Sequence, residues 1–100
     1  MPGFEFFGAE ERKEVNDVLE TGILMRYGFD AARKGIWKSI ELEKETCNTF
    51  GSKYAQLTSS GTAALTTAMA ALGIGVGDEV IMPSFTFVAS FEAVLSVGAV

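Results

Sequence analysis

The chain has 100 residues, a net charge of −5, no histidine and one cysteine. One ordinary domain fits that length, and an acidic balance without a basic cluster argues against nucleic acid or an anionic membrane as the main partner. A single Cys47 allows no internal disulfide and no cysteine zinc cage, and without histidine there is no Ser-His-Asp triad, no Cys-His dyad and no His-ligated metal; catalysis would fall to carboxylates, lysines or a cofactor.

In chain order, the aromatic start Met1–Gly8 has no basic region and is not read as a signal peptide, so a cytoplasmic location is the default. The spacing predicts a helix over Glu10–Thr21, with Val15, Val18 and Leu19 on one face and Gly22 at its end. Ile23–Gly35 is irregular and cationic. Trp37–Phe50 reads as a second helix, with Trp37, Ile40, Cys47 and Phe50 on one face, Glu41, Lys44 and Glu45 on the other, and Gly51 closing it. Tyr54–Thr58 reads as a short strand, Thr62–Leu72 as an alanine-rich helix stopped at Gly73, and Glu79–Met82 as a strand between the Gly77-Asp78 turn and Pro83. Thr86–Val97 reads as a further helix facing inward through Phe87, Phe91, Val94 and Leu95, and Ala99-Val100 as the start of another strand.

The charges crowd into the first half, and none occurs over the 24 residues from Tyr54 to Gly77. That length would suit a membrane span, but its hydroxyls and four glycines do not. It reads instead as the buried part of a parallel α/β sheet, covered on both faces. Two or three strands cannot build such a sheet alone. The sequence is therefore expected to be the front of a longer protein. The predicted division is a helical and loop segment over 1–52 and a first βαβα part over 53–100.

Four motifs carry possible chemistry. Ser59-Ser60-Gly61-Thr62 lies between a predicted strand and a helix, where free N–H groups and small residues suit a phosphate; the plainer alternative is an N-cap and a tight turn. Gly73-Ile-Gly75-Val-Gly77-Asp78 closes a helix and precedes a strand, the reverse of a dinucleotide fingerprint, and reads as a loop. In Pro83-Ser-Phe-Thr-Phe87 an aromatic ring could stack on a flat ligand or simply pack the next helix. Arg26, Arg33, Lys34 and Lys38 include candidates for capturing a carboxylate, though each taken singly reads more simply as solvated surface charge.

Taken together, SSGTAAL at Ser59–Leu65, GDEVI at Gly77–Ile81, PSFTF at Pro83–Phe87 and Gly98-Ala99 resemble the large domain of the DegT/DnrJ/EryC1/StrS sugar aminotransferases. MPGFEFFGAEE at Met1–Glu11, RYGFD at Arg26–Asp30 and Trp37-Lys38 are similar to one branch, the 8-amino-3,8-dideoxy-D-manno-octulosonate transaminases. The resemblance implies α/β architecture of pyridoxal-phosphate fold type I, the chain forming the N-terminal portion of the large domain with a mainly parallel sheet. It implies a pyridoxal 5′-phosphate cofactor, its phosphate at Ser60, Gly61, Thr62 and Ala63 and its ring under Phe87. It implies an amino-acid donor (glutamate), a sugar substrate with its carboxylate met by Arg26 and Tyr27 (Arg33 and Lys38 as weaker candidates), a homodimer, and no nucleic-acid, membrane or metal partner. Neither the lysine that holds the cofactor nor the aspartate that pairs with its ring nitrogen is expected within residues 1–100. None of the five lysines is nominated. The resemblance also admits a nucleotide-sugar C3 or C4 aminotransferase, a pyridoxamine-dependent sugar dehydratase and a non-catalytic sensor.

Overall fold

The computed structural model describes residues 3–100; Met1 and Pro2 of the N-terminal motif lie outside the described residues. The chain divides into two compact units, one running to Gln56 and one of Leu57–Val100.

The first unit opens with a 3-10 turn at Phe4–Phe6, followed by α1 (Ala9–Thr21) and α2 (Lys38–Phe50). At the start of α1 the Gly8 N–H donates to Glu11 Oε2 at 2.7 Å, half of a capping box. Gly22 closes α1 and Gly51 closes α2, as predicted, both in the left-handed region. Lys38 Nζ joins α2 to α1 by pairing with Glu14 at 2.5 Å and Asp17 at 3.2 Å. The predicted apolar face of α2 is only partly inward. Trp37, Ile40 and Cys47 are half-buried, but Phe50 is exposed. The buried residue of α2 is Glu43, on the same stripe as Ile40 and Cys47, three residues after one and four before the other.

The second unit packs α3 (Gly61–Ala71) against α4 (Ala89–Ser96). Both helices end in the same motif. Gly73 N–H donates to Ala70 O and Ile74 N–H to Met69 O; Gly98 N–H donates to Leu95 O and Ala99 N–H to Val94 O. These are Schellman closures, which need a left-handed residue at the turn and bring an apolar pair together beyond it. At Gly98, with φ of 83°, a Cβ would also lie 2.7 Å from Val76 Cγ2. The glycine thus permits both the turn and the close approach of the Val76 loop.

α4 begins three residues later than predicted. Ser90 N–H bonds to Phe87 O and Phe91 N–H to Val88 O, so the chain enters the helix through a tight turn. Thr86, Phe87 and Val88 lose side-chain freedom in a helix and favour that entry. The inward face is rotated as well: Ala93 and Val94 are buried with Ala99, whereas Phe87, Phe91 and Leu95 are exposed. Val94 shares a small hollow with Leu65 and Met69 of α3, and the phenylalanines are left exposed.

Among the described residues no strand is assigned, so the segments read as strands, Tyr54–Thr58 and Glu79–Met82, are not paired into a sheet. A strand is defined by its ladder, and alternation alone does not make one. One rung exists. Val100 N–H donates to Asp78 O at 3.0 Å and Val80 N–H donates to Val100 O at 2.7 Å, the slanted pattern of parallel neighbours. Residues 80–82 also keep the two-residue period. Val80 and Met82 are half-buried and line an apolar hollow of about 200 Å³ with Leu65, Met69, Ser90 and Val94, while Ile81 between them is 100% exposed.

Candidate functional site

The start of α3 is built by Ser60. Its extended backbone carries the chain into the helix, and its Oγ accepts the Ala63 N–H at 3.1 Å. Its carbonyl accepts from Ala64 N–H at 3.0 Å and from Thr58 Oγ1 at 2.9 Å, which holds the preceding turn. The capping role of Ser60 is therefore realised, and Ala63 N–H is used within the helix. The N–H groups of Gly61 and Thr62 make no hydrogen bond among the described residues. They sit at the positive end of the helix dipole. A Cβ on Gly61 would meet nothing within 4 Å, so the backbone is open to close approach.

Gly61 and Thr62 form one wall of a hollow of about 690 Å³, with Leu65 and Ala68 along α3 and Phe87 and Ser90 from the entry to α4. Phe87 is 78% exposed, its ring at the rim rather than in the core. The turn that delays α4 is what leaves it there. Thr86 Oγ1 and Ser90 Oγ lie 3.0 Å apart and tie that turn to the first residues of α4. The hollow thus offers two backbone donors, a hydroxyl and an aromatic ring on otherwise apolar walls, the composition of a small-ligand site.

The cationic residues are placed in the first unit, and the structure separates their roles. The Arg26 guanidinium forks onto Glu43, Nε to Oε1 at 3.1 Å and Nη2 to Oε2 at 2.5 Å. That pairing holds the Arg26 charge more firmly than usual, chiefly through the Glu43 hydrogen bond. Tyr27 beside it is 73% exposed. Arg33 is not solvated surface charge: it is only 5% exposed. It donates Nε to Gly28 O at 2.7 Å and Nη2 to the Met25 and Tyr27 carbonyls, and its guanidinium lies 4.2 Å from the centre of the Trp37 ring. Lys38 is taken by Glu14 and Asp17, whose carboxylates raise its pKa, Glu14 the more strongly. Lys34 is exposed and has a left-handed backbone, φ 52°. Glu43 was absent from the candidates read in the sequence. Its signal was a carboxylate on the apolar stripe of α2, a position that a charge holds only with a partner. No cluster of His, Cys, Asp and Glu able to hold a metal exists among the described residues, and no helix there is long and apolar enough to cross a membrane.

A helix start with open donors beside a displayed aromatic ring is suited to a flat ligand bearing an anionic group. The comparison with known families gives that class a name. Residues 6–100 match the DegT/DnrJ/EryC1/StrS aminotransferase family, and the chain belongs to it. Aminotransferases of this family depend on pyridoxal phosphate. The observed donor set fits such a group: Gly61 and Thr62 N–H and Thr62 Oγ are available for a phosphate, Gly61 leaves room for it, and Phe87 borders the same hollow.

Proposed function

We propose that the full-length protein is a pyridoxal-phosphate-dependent transaminase that moves an amino group from an amino acid, glutamate, to a carbonyl of an acidic sugar, such as the C8 aldehyde of a 3-deoxy-octulosonate used in lipopolysaccharide. The carrying observation is the pair of open N–H groups at Gly61 and Thr62, residues that line the hollow that Phe87 borders. Gly61 and Thr62 hold the phosphate through their N–H groups, and Thr62 Oγ adds a third donor. Ser60 fixes the geometry of that first turn by capping Ala63. Phe87 offers its face to the cofactor ring and excludes water from one side of it. When bound, the cofactor supplies the electron sink that lets nitrogen leave one carbon skeleton and be stored for another. Arg26 and Tyr27 contact the sugar acid. The Nη1 amino group of Arg26 lies outside the fork made with Glu43, which leaves it to meet a carboxylate. The proposal includes a mainly parallel sheet, a homodimer and a cytoplasmic location.

The test uses the full-length protein. Cofactor binding is followed by the visible absorbance of pyridoxal phosphate, and amino transfer is assayed on a panel of acidic and neutral carbonyl sugars. Thr62→Val is expected to weaken cofactor binding about tenfold, the scale of one lost charge-assisted hydrogen bond, and to leave thermal stability unchanged. A full-length protein that binds no pyridoxal phosphate refutes the reading. Turnover of neutral nucleotide-linked sugars alone would replace the acidic sugar.

A further inference from the structure

The segment Met25–Phe29 is irregular, yet it is closed by one side chain. Arg33 donates its backbone N–H to Phe29 O at 3.1 Å, its Nε to Gly28 O at 2.7 Å and its Nη2 to the Met25 and Tyr27 carbonyls. The guanidinium is fixed from another side by the Trp37 ring. Phe29 is held at a φ of 62°, a left-handed conformation that a bulky residue adopts only when its surroundings impose it. Its carbonyl accepts from both Ala32 and Arg33 N–H. Glu43, 6% exposed, grips Arg26 with both carboxylate oxygens from α2. Among the described residues, the two buried ones of this unit are therefore an anion and a cation, and both act on the same short loop.

Burying charge is costly, and a loop needing only to be covered could use apolar residues. What the charges supply is direction. A planar fork fixes both the position and the rotation of its partner. The loop then displays a half-exposed arginine beside two exposed rings, Tyr27 and Phe29, with little ordering left to be done when a ligand arrives.

We infer that Glu43 and Arg33 are positioning residues that hold the 26–29 loop in one conformation, so that Arg26 meets the carboxylate of an acidic sugar already aligned. The inference rests on the acidic-sugar reading above for the identity of the ligand. It goes beyond that reading by assigning roles to two residues that touch neither sugar nor cofactor.

The full-length holoenzyme is compared with its Glu43→Gln, Glu43→Asp and Arg33→Lys variants. Limited trypsin digestion reads the loop directly, since Arg26-Tyr27 is a cleavable bond. Kinetics read its consequence, with one carbonyl sugar that carries a carboxylate and one that does not. Glu43→Gln is expected to speed cleavage after Arg26 about tenfold and to raise KM for the acidic sugar by about the same factor, the scale of a lost bond to a charged group. Its kcat, its cofactor affinity and its KM for the neutral sugar should stay within about twofold of wild type, the scatter expected of a change away from those groups. Glu43→Asp keeps the charge and should fall between wild type and Glu43→Gln; it also serves where Glu43→Gln does not fold. Arg33→Lys keeps the charge but not the fork, and should behave as Glu43→Gln. Unchanged cleavage after Arg26 overturns the inference, because the loop was then not held by these residues. Faster cleavage with an unchanged KM also overturns it, because the loop is then held but does not meet the substrate. A wild-type enzyme that transaminates no acidic sugar overturns the substrate reading and the role with it, and the trypsin pattern separates that failure from a loop that was never held.

Discussion

The two units are held together by opposite chemistry. Among the described residues, the buried ones of the first unit are Arg33 and Glu43, and those of the second are Ala93, Val94 and Ala99. The first unit keeps its order through forks, ion pairs and carbonyls that accept from a guanidinium. The second keeps it through small apolar side chains at a helix–helix contact and through backbone closures at Gly73 and Gly98. Charge-based order is directional and suits a loop that must present one arginine. Packing-based order suits a helix start whose backbone donors must stay open. Each unit thus has the kind of stabilisation that its candidate site requires.

Four perturbations of the full-length protein sharpen or break that contrast, and segment-resolved hydrogen exchange reads each unit separately. The largest effect is expected for Arg33→Met, which removes the cation from Trp37 and orphans the carbonyls of Met25, Tyr27 and Gly28. A loss of about 3 kcal/mol in the first unit follows from several part-buried bonds to a charged group; full protection of residues 25–33 in that variant would show that the loop is held otherwise. Next is Gly98→Ala. A Cβ there meets Val76 Cγ2 at 2.7 Å and sits at φ 83°, so the second unit should lose about 2 kcal/mol through strain and overpacking. Adding Val76→Ala should return the packing share alone, and a double variant no better than the single would remove the close approach from the account.

Ser60→Ala comes third. Loss of the cap on Ala63 N–H should cost about 1 kcal/mol in α3, measured by chemical denaturation. Thr62→Val should leave stability alone and weaken cofactor binding, so the pair separates a cap from a ligand contact; equal stability losses would merge them. Smallest is the pH response of the ion pairs between α1 and α2. Asp17 is held below the usual carboxylate range, first by the Lys13 hydrogen bond and then by Lys38. Its contribution is therefore present above the unfolded carboxylate pKa and fades as pH falls through the lower folded value, below about 4. Lys38 is raised by Glu14 and Asp17, so its contribution is complete below about 10.5 and fades as pH rises above that. Acid and salt should loosen α1 from α2 before they affect the packing of α3 on α4; the reverse order, read by exchange, would contradict the division.

Local signals in the sequence carried a good deal. Gly22, Gly51, Gly73 and Gly98 mark the ends of the four α-helices among the described residues, because a left-handed turn residue is a property of one position and its immediate neighbours. The capped start of α3 was legible for the same reason: a small residue and hydroxyls before an alanine-rich run define it locally. The family, too, was legible as a resemblance carried by SSGTAAL, GDEVI and PSFTF together. What could not be read was which charges are buried. Arg33 looked like surface charge and Glu43 drew no notice, since burial of an ion depends on a partner 5 to 17 residues away in sequence. Periodicity placed Val94 inward, as found, but could not reveal that Ala93 lies inward with it and that Phe87 is left at the rim. That choice belongs to the helix it packs against, and close approach favours alanine over phenylalanine. The strands at Tyr54–Thr58 and Glu79–Met82 show the same limit. Alternation at Val80, Ile81 and Met82 follows from the backbone, whereas a ladder needs a neighbour, and here one rung to Val100 is formed. The sequence alone determined helix ends, the Ser60 cap and a family, because each rests on short local motifs. Tertiary structure alone decided which charges lie inside and which rings lie outside, because both depend on partners distant along the chain.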